Sequence, residues 1–328
     1  MLSAKITGTG SYLPELIVTN KDFEKMVDTT DEWIVTRSGI RQRHISTGVT
    51  NWEMGVSAAQ VALYNAGVDA NSIDMIIGTT STPDYFYHSL ASIVQLKLGA
   101  INATCFDIRA ACTGFTFAFD VAWQYIRNGK AEKILIVSSE VMSKVLDFAD
   151  RSTSVLFGDG AGAILLERCE TGGVINSFTM SEADKKGFLI CKAVDNNSPF
   201  VTKQINLYDG INDHFVHMNG RETFKFMARA VPYSIEKVLE GTGISIKDVA
   251  HVVPHQANIR IIEAVAKRCG IDYSKMIVSI DRYANTSSAS MPIALHDAVS
   301  SGIIKPKDKV IFVGFGAGLT YGALLVEW

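Results

Sequence analysis

The chain has 328 residues, 47% hydrophobic and 20% charged, with a formal net charge of −3 and a pI near 6.2. That length supports one large domain or two ordinary ones with a sizeable core, and the charge balance excludes a global pull toward nucleic acid or an anionic membrane. No apolar run reaches the roughly 18 residues of a membrane span, and the opening MLSAKITGTGSYLP lacks a signal-peptide core, so a cytoplasmic protein is expected.

In chain order, a helix over 53–66 before Gly67 is followed by a strand at IDMIIGTT (73–80), and a helix over 89–98 stops before Gly99. The stretch FDIRAACTGFTFAF (106–119) runs from a β-like segment into a helix over 113–128, with Cys112 at the join. Strands follow at KILIVSS (133–139) and AGAILLE (161–167); the region 181–216 is the least regular. The second part predicts helices over 222–240 and 258–269, and strands at AHVVPH (250–255), KMIVSI (275–280), KVIFVGF (309–315) and GALLVEW (322–328). Alternation of this kind indicates α/β layering, with glycine as the helix stop.

The chain also repeats itself. GVDANSIDMIIGTTS (67–81) matches GISIKDVAHVVPHQA (243–257) in pattern, and FGDGAGAILLE (157–167) echoes FGAGLTYGALLVE (315–327). A duplication with a seam near 168–175 divides the chain into halves 1–172 and 173–328. In that register Cys112 and Asn285 fall at comparable strand-to-helix corners, and His255 follows the second-half strand matching 73–77.

Five cysteines (Cys105, Cys112, Cys169, Cys191, Cys269) without a CxxC pair suggest neither a disulfide framework nor a metal cluster. Free cysteine ordinarily behaves as a small buried hydrophobe. Cys112 differs because a helix start favours the thiolate, so position alone is expected to activate it. His255 in VVPHQANIRII reads alone as a structural histidine, and Asn285 in DRYANTSSAS as a helix cap. Together the three offer a nucleophile, a proton partner and an amide donor. The turn GFGAGLTYG does not fit a dinucleotide motif; its glycines suit close backbone approach to a reacting centre, with N–H groups free for an oxyanion.

AACTGF, PHQANIRII, YANTSSASMP and VGFGAGLTYGA, in this order, resemble the β-ketoacyl-acyl-carrier-protein synthase III family of thiolase-like condensing enzymes. DTTDEWIVTRSGIRQRHI and DRSTSVLFGDGAGA extend the likeness over nearly the whole chain. The resemblance implies a five-layered α/β/α/β/α fold of two similar halves, a homodimer, no cofactor, and acyl-CoA and malonyl-carrier protein as substrates. It implies Cys112, His255 and Asn285 as catalytic residues, and backbone N–H groups of Cys112 and Ala317 as the oxyanion hole. It further implies a CoA path at Thr29, Trp33, Arg37, Arg151, Gly220 and Asn258, and an acyl pocket near Tyr87 and Phe157. An acyl carrier protein is expected to dock at Lys225, Gln256, Arg260, Lys267 and Arg268.

The chain departs from the family pattern at Tyr87-His88-Ser89, which puts acyl length in question, at Ala284 in place of glycine, and at Arg109. A paralogue serving a specialised pathway, a cysteine peptidase built on Cys, His and Asn, and a non-catalytic acyl-binding relative are the alternatives.

Overall fold

The computed structural model describes residues 2–203, 206–208, 210–211 and 213–328. Its strands are β1 (Ser3–Tyr12), β2 (Leu16–Thr19), β3 (Gln42–Ile45), β4 (Met75–Thr79), β5 (Thr104–Ile108), β6 (Lys133–Val141), β7 (Asp159–Cys169), β8 (Gly173–Ser181), β9 (Leu189–Cys191), β10 (Val216–Met218), β11 (His251–Pro254), β12 (Lys309–Gly316) and β13 (Thr320–Glu327). The helices are α1 (Asn20–Phe23), α2 (Asp31–Ser38), α3 (Asn51–Ala66), α4 (Leu90–Leu98), α5 (Gly114–Arg127), α6 (Gly220–Leu239), α7 (Ile259–Cys269), α8 (Ile280–Tyr283) and α9 (Ser290–Ser300).

Strand alternation builds the layers. In β6 and β7, Ile134, Ile136, Ile164 and Leu166 face inward to Phe115 and Phe119 of α5, while Leu135, Val137, Ala163 and Leu165 face outward to α3 and α4. In β12 and β13, Val310, Phe312, Leu324 and Val326 join that same central core with Met291 and Leu295 of α9; Ile311, Val313, Ala323 and Leu325 pack outward on α6 and α7. Both sheets are therefore apolar on both faces, with a helix layer outside each and α5 and α9 between them. This is the five-layered α/β/α/β/α arrangement expected from the sequence.

The two sheets share a pattern of directions. The first runs β1-β7-β6-β4-β5 and the second, read from its far end, β8-β13-β12-β11. In each, the first three strands pair antiparallel and the next joins parallel. The fifth strand expected at 275–280 does not form. What remains is one parallel bridge, Val252 to Met276, with Ile277 N–H donating to Val252 O at 2.8 Å, where the first half has β5. The chain then turns early into α8.

Helix ends follow the glycine signals at Gly67, Gly99 and Gly270, all left-handed. Helices α5 and α6 instead end at Arg127 and Leu239 and are capped by Asn128 and Glu240, each one residue before its glycine. In the irregular 181–216 region two short strands, β9 and β10, pair with each other; Gln204, Ile205, Asp209 and Asn212 lie outside the described residues.

Ala284 closes α8 at φ 55° and ψ −159°, at the edge of a region that glycine alone occupies freely. Such strain costs about 1–3 kcal/mol, against roughly 0.4–1 kcal/mol gained from alanine's stiffer unfolded chain. Ala284→Gly is expected to raise stability by about 1 kcal/mol, read as a higher urea midpoint at fixed protein concentration. A lower midpoint would show that the backbone is not strained.

Candidate active site

Cys112 lies in a one-turn 3-10 helix (Ala111–Thr113) entered through Ala111 at φ 46° and leading into α5. The second half repeats the device: Ser287, at φ 50°, starts a turn (Ser287–Ala289) leading into α9. The residue matching Cys112 is thus Ser288, and Asn285 lies three residues upstream of it.

Three contacts gather the catalytic candidates around the end of β12. His255 N–H donates to Val313 O at 2.9 Å, and the His255 ring meets the Phe315 ring edge-on with centroids 5.1 Å apart. A Cβ on Gly316 would lie 2.9 Å from Cys112 N. Asn285 is clamped by its backbone, donating to Leu156 O and accepting from Gly158 N–H, both at 3.0 Å. Its Oδ1 accepts the Ser287 N–H at 2.8 Å, which turns the amide N–H groups the other way. Ser287 Oγ in turn donates to Cys112 Sγ at 3.5 Å. The three residues expected from the sequence therefore share one site.

Burial outweighs the helix start at Cys112. It pushes the thiol up to about 12, with the Ser287 hydroxyl lowering it and the Glu140 charge raising it further. Position alone does not activate this cysteine. Burial also holds the His255 imidazole down to about 3, so the ring is neutral. Its Nδ1 lies 2.7 Å from Ser290 Oγ, and its Nε2 is buried without a partner among the described residues. Glu140 is wholly buried and accepts from Ser81 N–H and from the Thr82 and Ser288 hydroxyls. Glu140, Ser287, Ser290 and Phe315 join the site without being marked by any motif in the sequence. A lone acid ending KILIVSSE and the hydroxyl run NTSSAS were the available signals.

The Cys112 N–H faces its own thiol and lowers it, an effect smaller than burial. The Ala317 turn is tied to the cysteine turn through the Thr113 and Thr320 hydroxyls, and Thr320 Oγ1 donates to Ala317 O at 3.0 Å.

Away from the thiol, Thr30 caps α2 and sets Trp33 in its first turn. The Arg37 and Arg151 guanidiniums lie 4.7 and 4.9 Å from the Trp33 ring centroid, so the expected adenine sandwich is closed, with Arg151 directly on the indole. Thr29 Oγ1 is buried without a partner. Asn258 caps α7 and donates to Arg37 O at 2.9 Å, and Arg260 Nε donates to Thr36 O at 2.9 Å, which joins α7 to α2. Gly220 opens α6 with open space around it.

Lys225, Arg260, Lys267 and Arg268 are exposed on α6 and α7, and Arg268 donates to Ala228 O across the helix pair. Gln256 is a correction to this set. It is 1% exposed, donates to Pro254 O and Ile277 O, and accepts from Ser279 N–H. It substitutes for the missing strand by holding 277–279 against β11, and cannot meet a docking protein. Phe157 is buried beside Asn285, to which its backbone bridges. Tyr87 is 89% exposed and lines nothing within the chain. Arg109, exposed at the end of β5, sits near enough to Cys191 to favour its thiolate, although burial wins and raises that thiol.

The cysteine turn, the neutral imidazole and the oriented amide thus lie between two sheets of matching strand directions. The family models described as 3-oxoacyl-[acyl-carrier-protein] synthase III and its C-terminal part match residues 106–183 and 239–328. β-Ketoacyl-[acyl-carrier-protein] synthase III of Clostridium acetobutylicum is 44% identical over 328 residues, covering 100% of this chain and 99% of the relative. The crystal structure of 3-oxoacyl-[acyl-carrier-protein] synthase III from Aquifex aeolicus superposes with a TM-score of 0.92 at 40% identity, covering 99% and 100% of the two chains. The priming β-ketosynthase from the R1128 polyketide pathway superposes with a TM-score of 0.88 at 35% identity, covering 99% and 96%. The chain belongs to the β-ketoacyl-acyl-carrier-protein synthase III family, and is a condensing acyltransferase.

Two outcomes follow from this geometry. Gly316→Ala drives a methyl group against backbone that cannot yield, and is expected to slow acylation of Cys112 by about 100-fold, read by intact mass after mixing with acetyl-CoA. An unchanged rate would show that the turn is not in contact. Because the resting thiol is neutral, iodoacetamide alkylation of Cys112 is expected to climb from pH 7 to pH 10, as the thiolate fraction grows toward the thiol's pKa of about 12. A plateau below pH 8 would contradict a burial-dominated thiol.

Proposed function

We propose that the reaction divides between the two sides of the site, and the observation that carries this reading is the buried cysteine turn packed on Gly316 on one side and, on the other, the neutral His255 Nε2, unpartnered among the described residues. In the first stage Cys112 Sγ attacks an acyl-CoA thioester. The carbonyl oxygen takes the charge against Cys112 N–H and Ala317 N–H, the bond to CoA sulfur breaks, and CoA leaves as a thiol carrying the proton that Cys112 gave up.

In the second stage malonyl-carrier protein enters. Its bond to the carboxylate breaks, CO2 leaves, and the electron pair forms an enolate whose oxygen is held by donors from His255 and Asn285. That carbon attacks the acyl-cysteine, the carbon–sulfur bond breaks, and Sγ departs as a thiolate that takes a new proton from solvent. Burial supports this division, because a hydrogen bond to a forming oxyanion is strongest where water is excluded. The electron pair comes from the broken carbon–carbon bond, so no cofactor is called for.

For the nucleotide, Trp33 and Arg151 supply two flat faces, and adenine enters as Arg151 swings off the indole. Thr29, Arg37, Gly220 and Asn258 lie along the pantetheine route. Lys225, Arg260, Lys267 and Arg268 form a basic face for an acidic carrier protein. We place the two halves at 1–172 and 173–328; the turn before β8, with Gly172 and Gly173 both at positive φ, supports that boundary. Acyl-CoA chemistry suits the cytoplasm.

The homodimer reading is supported by β5, an edge strand of its sheet, and by exposed Tyr85, Phe86, Tyr87, Leu96 and Ile101. Such an apolar edge suits a second copy, and Tyr87 then bears on acyl length in the partner's pocket beside Phe157. The likeness to a priming ketosynthase favours, as second reading, a primer role in a specialised pathway.

The test is product formation from a panel of acyl-CoAs with malonyl-carrier protein. A 3-ketoacyl product released with CO2 is expected, lost by at least 1000-fold in Cys112→Ala. No such product with any primer would defeat the reading. Preference for a primer other than acetyl-CoA would favour the specialised pathway.

A further inference from the structure

Ser290 opens α9, is 2% exposed, and touches neither Cys112 nor Asn285 by any hydrogen bond among the described residues. Its Oγ accepts the Gln256 N–H at 3.2 Å and lies 2.7 Å from His255 Nδ1. A hydroxyl carries one proton. With the Gln256 donor already received, Nδ1 is the remaining partner for that proton among the described residues. Ser290 therefore donates, Nδ1 accepts, and the ring's own proton is left on Nε2.

That choice matters because the ring is neutral, and a neutral imidazole donates from one nitrogen only. With its proton on Nε2, the atom that is buried and unpartnered can give a hydrogen bond to a developing enolate oxygen. With the proton on Nδ1, the same atom would present a lone pair and repel it. The edge-on Phe315 ring and the bond from His255 N–H to Val313 O hold the imidazole plane, yet neither selects the tautomer. Gln256, fixed by its own side-chain bonds to Pro254 O and Ile277 O, presents the N–H that occupies one of the serine oxygen's two lone pairs, while the hydroxyl's single proton has Nδ1 as its acceptor.

We propose that Ser290 is a positioning residue that sets His255 in the Nε2–H tautomer, serving the decarboxylating stage of the reaction and not the acyl-transfer stage. This rests on the role of His255 given above.

Ser290→Ala and Ser290→Thr separate the stages in the full-length protein. In Ser290→Ala, decarboxylation of malonyl-carrier protein is expected to fall between 10- and 100-fold, while acylation of Cys112 by acetyl-CoA stays within threefold. Ser290→Thr, which keeps the hydroxyl, is expected to recover most of the loss. Ring 15N shifts of labelled histidine report the tautomer directly: Nε2 protonated and Nδ1 bare in the wild type, and a mixture in Ser290→Ala. Decarboxylation at the wild-type rate in Ser290→Ala would overturn the proposal, as would acylation falling in parallel or a wild-type ring protonated on Nδ1. If the wild-type protein acylates but does not decarboxylate, the reading of His255 fails instead, and the ring shifts still decide the tautomer.

Discussion

The site depends on how closely the end of β12 approaches the turn that carries the cysteine. Val313, Phe315 and Gly316 are near neighbours on one strand, yet they touch both halves of the chemistry: a carbonyl to His255, a ring edge to its imidazole, and a bare Cα against Cys112 N. The last contact exists because Gly316 has no Cβ. Gly314, two residues earlier, faces Thr116 Oγ1 at 2.6 Å from its absent Cβ for the same reason. Two glycines at the strand's period let a strand of the second sheet lie on the helix start of the first half.

Around that contact burial leaves the candidate groups uncharged. Cys112 and His255 are both neutral at rest for one reason, burial. The charged groups nearby serve the scaffold. Glu140 gathers donors from the loop after β4 and from the turn before α9, and so ties the two halves beside the cysteine. Arg43, fully buried and lowered to about 10 by desolvation, donates to Val155 O, one residue from the carbonyl that holds Asn285 N–H. Fixed donors waiting in a dry pocket stabilise charge that appears only during reaction, and need no reorganisation when it does.

Much of this was legible in the sequence because the duplication leaves continuous apolar runs bounded by repeated turn signals. Buried strands such as KILIVSS and KVIFVGF read plainly, and so did the joint placement of Cys112, His255 and Asn285. Other features depend on tertiary partners that a linear pattern does not carry. KMIVSI has the composition of a strand, but at the sheet's edge Gln256 binds its backbone instead, and the same fact hides Gln256 inside the molecule. The amphipathic frame of α7 starts beyond Asn258, so the parity of Gln256 was not readable from it. At Cys112 burial outweighs the hydrogen bonds from Ser287 and from the residue's own backbone that favour the thiolate. Ser290 is one of several hydroxyls in NTSSAS, and only the spatial neighbour His255 distinguishes it.

In the proposed reaction one thiol holds the acyl group between the two stages. Peptide-mapped mass spectrometry of the protein mixed with an acyl-CoA, before and after adding malonyl-carrier protein, tests this most directly. The account predicts a single acyl adduct on Cys112 that forms without the carrier and disappears when the malonyl substrate is supplied. An adduct on another residue, or one on Cys112 that persists while product accumulates, would contradict it.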